Sequence, residues 1–132
     1  SIISPGHYRK IILSHIKHDL TNPINAILGY SELVMDIVEE EDNKALDRDI
    51  HAIHESGSAI LTHINEIFSN SSDNTDDHIG DIINNTELQF ILRTPLSTII
   101  GLTEMTIREF EFDAYSLTEI NLLEVKDSME KI

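Results

Sequence analysis

The chain has 132 residues, enough for one domain with a hydrophobic core or for two helical hairpins that cover each other's apolar faces. A hydrophobic fraction of 40% with only 5 glycines and 3 prolines favours long helices over disorder or sheets. The formal net charge of −15 argues against nucleic acid or an anionic membrane surface as partner, since both require a basic face. With no cysteine and no apolar run near the roughly 20 residues that span a bilayer, we expect a soluble, cytoplasmic segment without membrane contact.

Two apolar stripes predict the first pair of helices. Ser4 and Pro5 suit a helix start, as N-cap and first helical residue. The first stripe runs to the turn signal "EDN" at 41–43 and consists of Leu13, Ile16, Leu20, Ile24, Ile27, Ser31, Val34 and Val38. The second reaches about Ser69 and consists of Leu46, Ile50, Ile53, Gly57, Ile60, Ile64 and Ile67. The short loop between the two helices predicts an antiparallel hairpin.

A second hairpin is predicted after the polar stretch "SNSSDNTDD" at 69–77. We therefore divide the chain into a hairpin at 1–70, a linker at 71–85 and a second hairpin at 86–132. The third helix is marked from Leu88 to Phe110. Two starts for this helix are open, a capping box of Thr86 with Gln89 or an earlier start around Asp76.

The fourth helix is predicted from a capping box of Ser116 with Glu119. Its apolar stripe consists of Leu122, Val125, Met129 and Ile132. The sequence as a whole predicts an all-α, antiparallel four-helix bundle made of two hairpins.

Chemistry is concentrated at "HDLTNP" in the first helix, where a histidine precedes a carboxylate and then a proline. If Ile16 and Leu20 face the core, His18 lies about 200° around the helix from both and should be exposed. An exposed imidazole is a competent nucleophile, and Asp19 can accept or orient a ring proton. Pro23 cannot donate to the carbonyl of Asp19, so the helix should be loosened or bent one turn beyond the histidine.

The stretch "HDLTNPINAILGYSELV", residues 18–34, resembles the H-box of the dimerisation and phosphoacceptor (HisKA-type) domain of two-component sensor histidine kinases. The resemblance implies that His18 takes a phosphoryl group on a ring nitrogen and that Asp19 assists the transfer. It further implies that Asn22 serves dephosphorylation of the partner protein and that Pro23 supplies a helix bend. The implied partners are a response-regulator receiver domain, whose aspartate exchanges phosphate with His18, and an ATP-binding kinase domain in cis or trans.

A second, altered copy of this box is predicted in the third helix, because "LRTPLSTIIGLTEM" resembles the same motif. A shift of 72 positions pairs Leu20 with Leu92, Pro23 with Pro95, Ile27 with Ile99, Gly29 with Gly101 and Glu32 with Glu104. At this shift Phe90 replaces the histidine and Ile91 the acid. Phenylalanine has no nitrogen to phosphorylate, so we expect a tandem repeat with one inert copy.

The sequence leaves the enzymatic role of the chain open. No phosphate-binding glycine loop occurs in it, so we expect no cofactor here and Mg-ATP only on a separate catalytic domain. Two roles are then open. The chain is a phosphotransfer module, which belongs to a kinase or is phosphorylated by another protein, or it is a non-catalytic dimerisation scaffold that keeps the H-box by descent. Self-association is also open, as an intramolecular pseudo-dimer or as a homodimer of chains.

The other histidines and Phe90 have alternative interpretations. His15 with His18, and His51 with His54, have the three-residue spacing that could place four imidazoles around Zn²⁺, although we predict no metal site. Phe90 is either an exposed remnant of duplication or an apolar contact with a neighbouring helix or partner. We interpret the remaining histidines as surface residues; these are His7, His63 and His78.

Overall fold

The computed structural model describes residues 4–70, 86–112 and 117–132, apart from the side chains of 70 and 86–88. Over these ranges the chain is all-α, as predicted. The helices are α1 (Pro5–Glu41), α2 (Lys44–Asn70), α3 (Thr86–Glu111) and α4 (Glu119–Lys131). The predicted linker at 71–85 and the alternative helix start near Asp76 lie outside the described residues.

Local hydrogen bonds fix the start of α1 and the turn that follows it. The Ser4 hydroxyl accepts from the backbone N–H of His7 at 3.2 Å, which confirms the predicted cap. Asp42 ends α1 in the left-handed region, with φ of 54°. Asn43 then caps α2, because its Oδ1 accepts from the backbone N–H of Leu46 at 3.1 Å. Two residues therefore separate the helices of the first hairpin.

The start of α4 differs from the prediction. Thr118, rather than Ser116, is the N-cap, and its hydroxyl accepts from the backbone N–H of Asn121 at 3.4 Å. Ser116 itself lies outside the described residues. The predicted capping box at Ser116 was wrong because two N-cap candidates lie two residues apart, and the later one starts the helix.

The four helices pack in a ring, α1 against α2, α2 against α3, α3 against α4, and α4 against α1. At the start of α4, the Thr118 hydroxyl donates to Glu41 Oε1 at 3.0 Å, and the side-chain amide of Asn121 contacts the same oxygen. Near its end, Lys131 Nζ lies 5.5 Å from the ring centroid of Tyr30. Because α4 runs from the end of α1 back towards its middle, the two helices are antiparallel neighbours in a four-helix bundle.

The end of α4 also carries the clearest electrostatic perturbation in the described residues. Lys131 Nζ donates to Asp127 Oδ2 at 2.9 Å. This hydrogen bond, followed by the charge of Asp127 and the proximity of Tyr30, raises the pKa of Lys131 above its usual value. The ammonium opposite Tyr30 therefore stays charged to a higher pH than that of an unpaired lysine.

Apolar side chains from all four helices form one core. The predicted stripe of α2 is buried from Leu46 to Ile64, and Ile67 is half-buried. The largest fully buried side chains include Leu46, Ile50, Ile53, Ile60, Met129, Val34, Val38 and Val125. Burial of these side chains against partner helices supplies the main favourable free energy of folding.

The stripes of α1 and α3 are buried only in part. Leu20 is 42% exposed and Leu96 is 39% exposed, although both belong to the predicted stripes. The reason lies in α4, whose 13 residues span about 20 Å at roughly 1.5 Å per residue, against 37 residues in α1. Since α4 reaches from Glu41 only to Tyr30, the earlier part of α1 is not beside it.

Hydroxyl groups interrupt this apolar core. Ser31, Thr103, Thr106 and Ser128 are buried. Ser31 Oγ donates to the carbonyl of Leu28 at 2.9 Å, and Thr106 Oγ1 donates to the carbonyl of Leu102 at 2.7 Å. Within the described part of the chain, Thr103 Oγ1 is a buried hydroxyl oxygen without a hydrogen-bond partner. Such a group costs free energy because it has lost water without replacing it.

Candidate functional site

The candidate site lies on the outer face of α1. His18 is exposed, which confirms the prediction from the stripe, and Asp19, Asn22 and Pro23 are exposed with it. Lys17 and Thr21, which flank these positions, are half-buried. The helix thus presents the histidine and the polar groups around it to solvent.

The imidazole of His18 is contacted by the side chain one helical turn further on. Asn22 Nδ2 lies 3.2 Å from His18 Nδ1, within hydrogen-bond distance. The Thr21 hydroxyl donates to the backbone carbonyl of His18 at 3.3 Å. In the described residues Asp19, which the sequence suggested as the group orienting the ring, follows His18 in the chain without a hydrogen bond to it. The role of Asp19 therefore stays a prediction.

Pro23 lies inside α1, which continues on both sides of it from Pro5 to Glu41. Proline has no N–H, so the carbonyl of Asp19 loses its partner in the helix. Asp19 and Pro23 are both exposed, so water can reach this carbonyl. The local helix is weakened by one hydrogen bond beside the histidine, at a point where solvent replaces that bond. The loss of this hydrogen bond follows from the proline itself, whether or not the helix is bent.

Charge is unevenly distributed along α1. Residues 5–22 contain three cationic side chains and one carboxylate, whereas residues 23–42 contain six carboxylates and no cationic side chain. The cations are Arg9, Lys10 and Lys17. Among the charges of α1 itself, an anion is therefore favoured in the half that carries His18 over the half near the turn.

The two histidines His51 and His54 of α2 make separate contacts with other side chains or with the backbone. His54 Nε2 lies 3.1 Å from Glu32 Oε1 and so links α2 to α1. His51 Nδ1 lies 2.8 Å from the carbonyl of Asp47 and 3.3 Å from Oδ1 of the same residue. Residues 4–70, 86–112 and 117–132 contain no group of three acidic or histidine side chains able to hold a metal ion. The four-histidine zinc alternative is therefore not formed in them.

The structure describes two of the three histidines predicted to lie on the surface, and it shows one contact between helices that was not predicted. His7 is exposed, His63 is half-buried on the surface of α2 near Glu66, and His78 lies outside the described residues. No pattern in the sequence indicates the contact of His54 with Glu32. These residues are 22 positions apart, and their meeting depends on the axial position of α2 along α1.

In the second hairpin, the two positions that correspond to His18 and Asp19 at a shift of 72 are apolar and exposed. Phe90 is 74% exposed and Ile91 is 42% exposed. Phe90 therefore does not pack against a neighbouring helix of the described chain. Burial recurs at the same shift in four pairs, which are Ile27 with Ile99, Ser31 with Thr103, Val34 with Thr106 and Val38 with Phe110.

Comparison with known proteins agrees with this geometry. A long antiparallel hairpin with an exposed histidine on its first helix is an arrangement suited to a helical phosphoacceptor domain. Residues 8–75, just over half of the chain, match the His Kinase A (phospho-acceptor) domain family. The chain belongs to this family, which has a histidine phosphoacceptor and dimerisation role in two-component signalling. No curated protein and no solved structure matches the chain.

The family match covers α1 and α2 and includes His18. It ends before α3, so the second, altered copy of the motif stays a prediction. Within the described ranges, no helix combines the length and the apolar character that crossing a membrane requires.

Proposed function

We propose that this chain is the phosphotransfer module of a cytoplasmic two-component system. His18 accepts a phosphoryl group from an ATP-binding kinase domain, in cis or in trans, and passes it to the aspartate of a response-regulator receiver domain. The observation that carries the proposal is the exposed His18 ring, contacted by Asn22 within the part of α1 that matches the family. Mg-ATP would be bound by the separate kinase domain.

The residues around His18 have distinct roles in this proposal. The neutral imidazole of His18 is the nucleophile, because one of its two ring nitrogens carries a free lone pair. Asp19 accepts a ring proton during transfer. Asn22 acts when the phosphorylated receiver is dephosphorylated. Pro23 leaves the helix beside the ring short of one hydrogen bond, which lets this turn adjust to different partners.

Electrostatics favours the approach of an anionic donor to this part of α1. The cationic side chains precede His18, whereas the six carboxylates of residues 23–42 follow it. A phosphoryl donor carries negative charge, so the field along α1 raises its concentration near the ring and lowers it near the turn. The effect is screened over about 10 Å at an ionic strength near 0.1 M and should therefore weaken with added salt.

The second hairpin is, in this proposal, a degenerate copy of the first that completes the bundle within one chain. The repeated burial at a shift of 72 supports duplication, as does the recurrence of proline and glycine inside both helices. Phe90 and Ile91 at the positions of His18 and Asp19 leave the copy without a phosphoacceptor. The result is a pseudo-dimer with a single active histidine.

A second candidate is a non-catalytic dimerisation scaffold. It is favoured by the exposed Phe90 in place of a second histidine and by the mutual packing of both hairpins. In that case His18 would be an inherited surface residue without phosphoryl chemistry. The two candidates differ in whether His18 takes phosphate.

Phosphorylation of the purified chain by phosphoramidate, a small phosphoryl donor, tests the proposal. We expect acid-labile phosphate on His18 of the wild type, complete loss of the label in His18→Gln and an unchanged label in the matched variant His15→Gln. His15 is a suitable control because it is an exposed histidine one turn earlier on α1. Label that maps to another histidine, or that survives in His18→Gln, would support the scaffold instead.

A further inference from the structure

The contact between Asn22 and His18 determines which ring nitrogen carries the hydrogen. A neutral imidazole has one N–H donor and one acceptor nitrogen, whereas the amide nitrogen of asparagine only donates. The structure places Asn22 Nδ2 at 3.2 Å from His18 Nδ1. With the amide nitrogen towards the ring, Nδ1 is the acceptor in this contact, which assigns the ring hydrogen to Nε2.

The position of this hydrogen decides which nitrogen can act as a nucleophile. Nε2 is the ring nitrogen further from the backbone and the more accessible one for a bulky phosphoryl donor. A nitrogen that carries a hydrogen has no free lone pair, so Nε2 cannot attack phosphorus in this tautomer. The lone pair of Nδ1 is occupied by Asn22, next to Cβ and the helix.

We propose that Asn22 is a positioning residue that holds His18 in the tautomer with its hydrogen on Nε2 and so restrains phosphoryl acceptance. Release of the amide allows the hydrogen to move to Nδ1, where Asp19, exposed beside His18, can accept it. The part of this proposal that concerns phosphoryl acceptance rests on the proposed function. The part that concerns the tautomer does not.

The chemistry of the restrained step with phosphoramidate is as follows. In the released tautomer, the Nε2 lone pair forms the new bond to phosphorus while the nitrogen–phosphorus bond of the donor breaks. The electron pair of that bond leaves with ammonia. The ring then releases its Nδ1 proton to Asp19 or water, and ammonia takes up a proton from solvent. No oxidant, reductant or further reactant is required.

The nitrogen-15 NMR signals of the His18 ring test the tautomer in the full, unphosphorylated chain at about pH 8.5, above the ordinary titration range of imidazole. We expect the wild type to carry its hydrogen on Nε2. In Asn22→Asp a nearly isosteric carboxylate, which only accepts, replaces the amide, so the hydrogen should move to Nδ1. The control Asn25→Asp adds the same charge three residues further on, at another exposed asparagine, and should leave the wild-type tautomer.

A wild-type ring with its hydrogen on Nδ1 would overturn the proposal, because the amide would then present its oxygen. The same tautomer in the wild type and in Asn22→Asp would also overturn it. Far-ultraviolet circular dichroism of each variant checks that α1 is intact, which matters because Asn22 precedes the helix proline.

The rate of labelling by phosphoramidate at the same pH tests the restraint. Asn22→Ala removes the amide without adding charge, and we expect its rate to rise by roughly threefold or more, the factor that the net free energy of one hydrogen bond provides. Asn25→Ala should label at the wild-type rate. A wild-type rate in Asn22→Ala would refute the restraint. Absence of label in every variant, with the tautomers as expected, would instead refute the proposed function and leave the tautomer assignment standing.

Discussion

The two hairpins of this bundle differ at the position that Gly57 occupies in the first and Met129 in the second. In the first hairpin, a methyl group on Gly57 of α2 would lie only 3.2 Å from Leu28 Cδ2 of α1, so the absence of a side chain lets the helices approach. At a shift of 72 these positions are Met129, which is buried, and Ile100, which is 55% exposed. The second hairpin thus has a large buried side chain, Met129, in place of glycine, and an exposed side chain, Ile100, in place of Leu28.

The two hairpins therefore contribute differently to the bundle. The first hairpin, with helices of 37 and 27 residues, carries the histidine and packs closely upon itself. The second, with helices of 26 and 13 residues, contributes fewer buried side chains and covers the first. The comparison shows that the hairpin with the histidine is covered by a second hairpin of different length and packing.

Separation of the hairpins should give the largest effect. Residues 1–70 alone should dimerise or aggregate, because the stripe of α2 loses its cover. The full chain should stay monomeric at micromolar concentration, since its own second hairpin competes at an effective concentration of about millimolar. Light scattering of both proteins measures this. A dimer of the full chain at low micromolar concentration, with 1–70 associating no better, would contradict the pseudo-dimer.

Truncation of one buried isoleucine of the first hairpin and one exposed isoleucine of the second should show the unequal packing of these two positions. Ile53→Ala in α2 should lower the free energy of unfolding by about 2–5 kcal/mol, because Ile53 is fully buried and a cavity remains. Ile100→Ala in α3 should change it by only about 0.5 kcal/mol, as is usual at exposed positions. Urea denaturation measures both. Equal losses would mean that Ile100 is covered in solution.

The prolines inside α1 and α3 offer a comparison of the two hairpins. Pro23→Ala should straighten α1 and stabilise the chain by up to about 3 kcal/mol, because a helical hydrogen bond to the carbonyl of Asp19 is restored. Pro95→Ala is the matched change in α3. Thermal unfolding measures both variants. If Pro23→Ala melts at a lower temperature than the wild type, the packing of α1 requires the proline.

The smallest expected effect concerns the buried hydroxyls. Thr103→Val should stabilise the chain by about 1 kcal/mol, because it removes a buried hydroxyl without a partner and keeps the shape of the side chain. Thr106→Val is the control, since its hydroxyl donates to Leu102, and it should give little or no gain. Chemical denaturation distinguishes the two. A loss of stability in Thr103→Val would indicate that its hydroxyl is satisfied by water.

Much of the fold could be predicted because the apolar stripes are periodic. The stripe of α2 gave the buried face from Leu46 to Ile64 correctly, and Ser4 with Pro5 gave the start of α1. The prediction failed at Leu20, because its burial depends on how far α4 extends along α1. Periodicity describes the face of one helix, whereas burial also requires a neighbour at the same height.

The candidate site was predictable in position but not in its contacts. The exposure of His18 followed from its angle to the stripe. The contact with Asn22 was missed, although a separation of four residues on a helix brings side chains together and was a usable signal. The orienting role of Asp19 stays a prediction, although adjacent residues on a helix do not face each other.

The buried hydroxyls have a consequence for how the helices align. A core of uniform aliphatic residues would tolerate sliding of one helix along another by a whole repeat, since each new position buries a similar set of side chains. Buried hydroxyl side chains interrupt the aliphatic core at a few positions along the helices. They are Ser31 of α1, Thr103 and Thr106 of α3 and Ser128 of α4. A slipped helix would set these side chains opposite different neighbours and so change the packing of the core. Ser31 and Thr106 donate to carbonyls of their own helices, so they would select a register through the shape of the side chain and not through hydrogen bonds between helices.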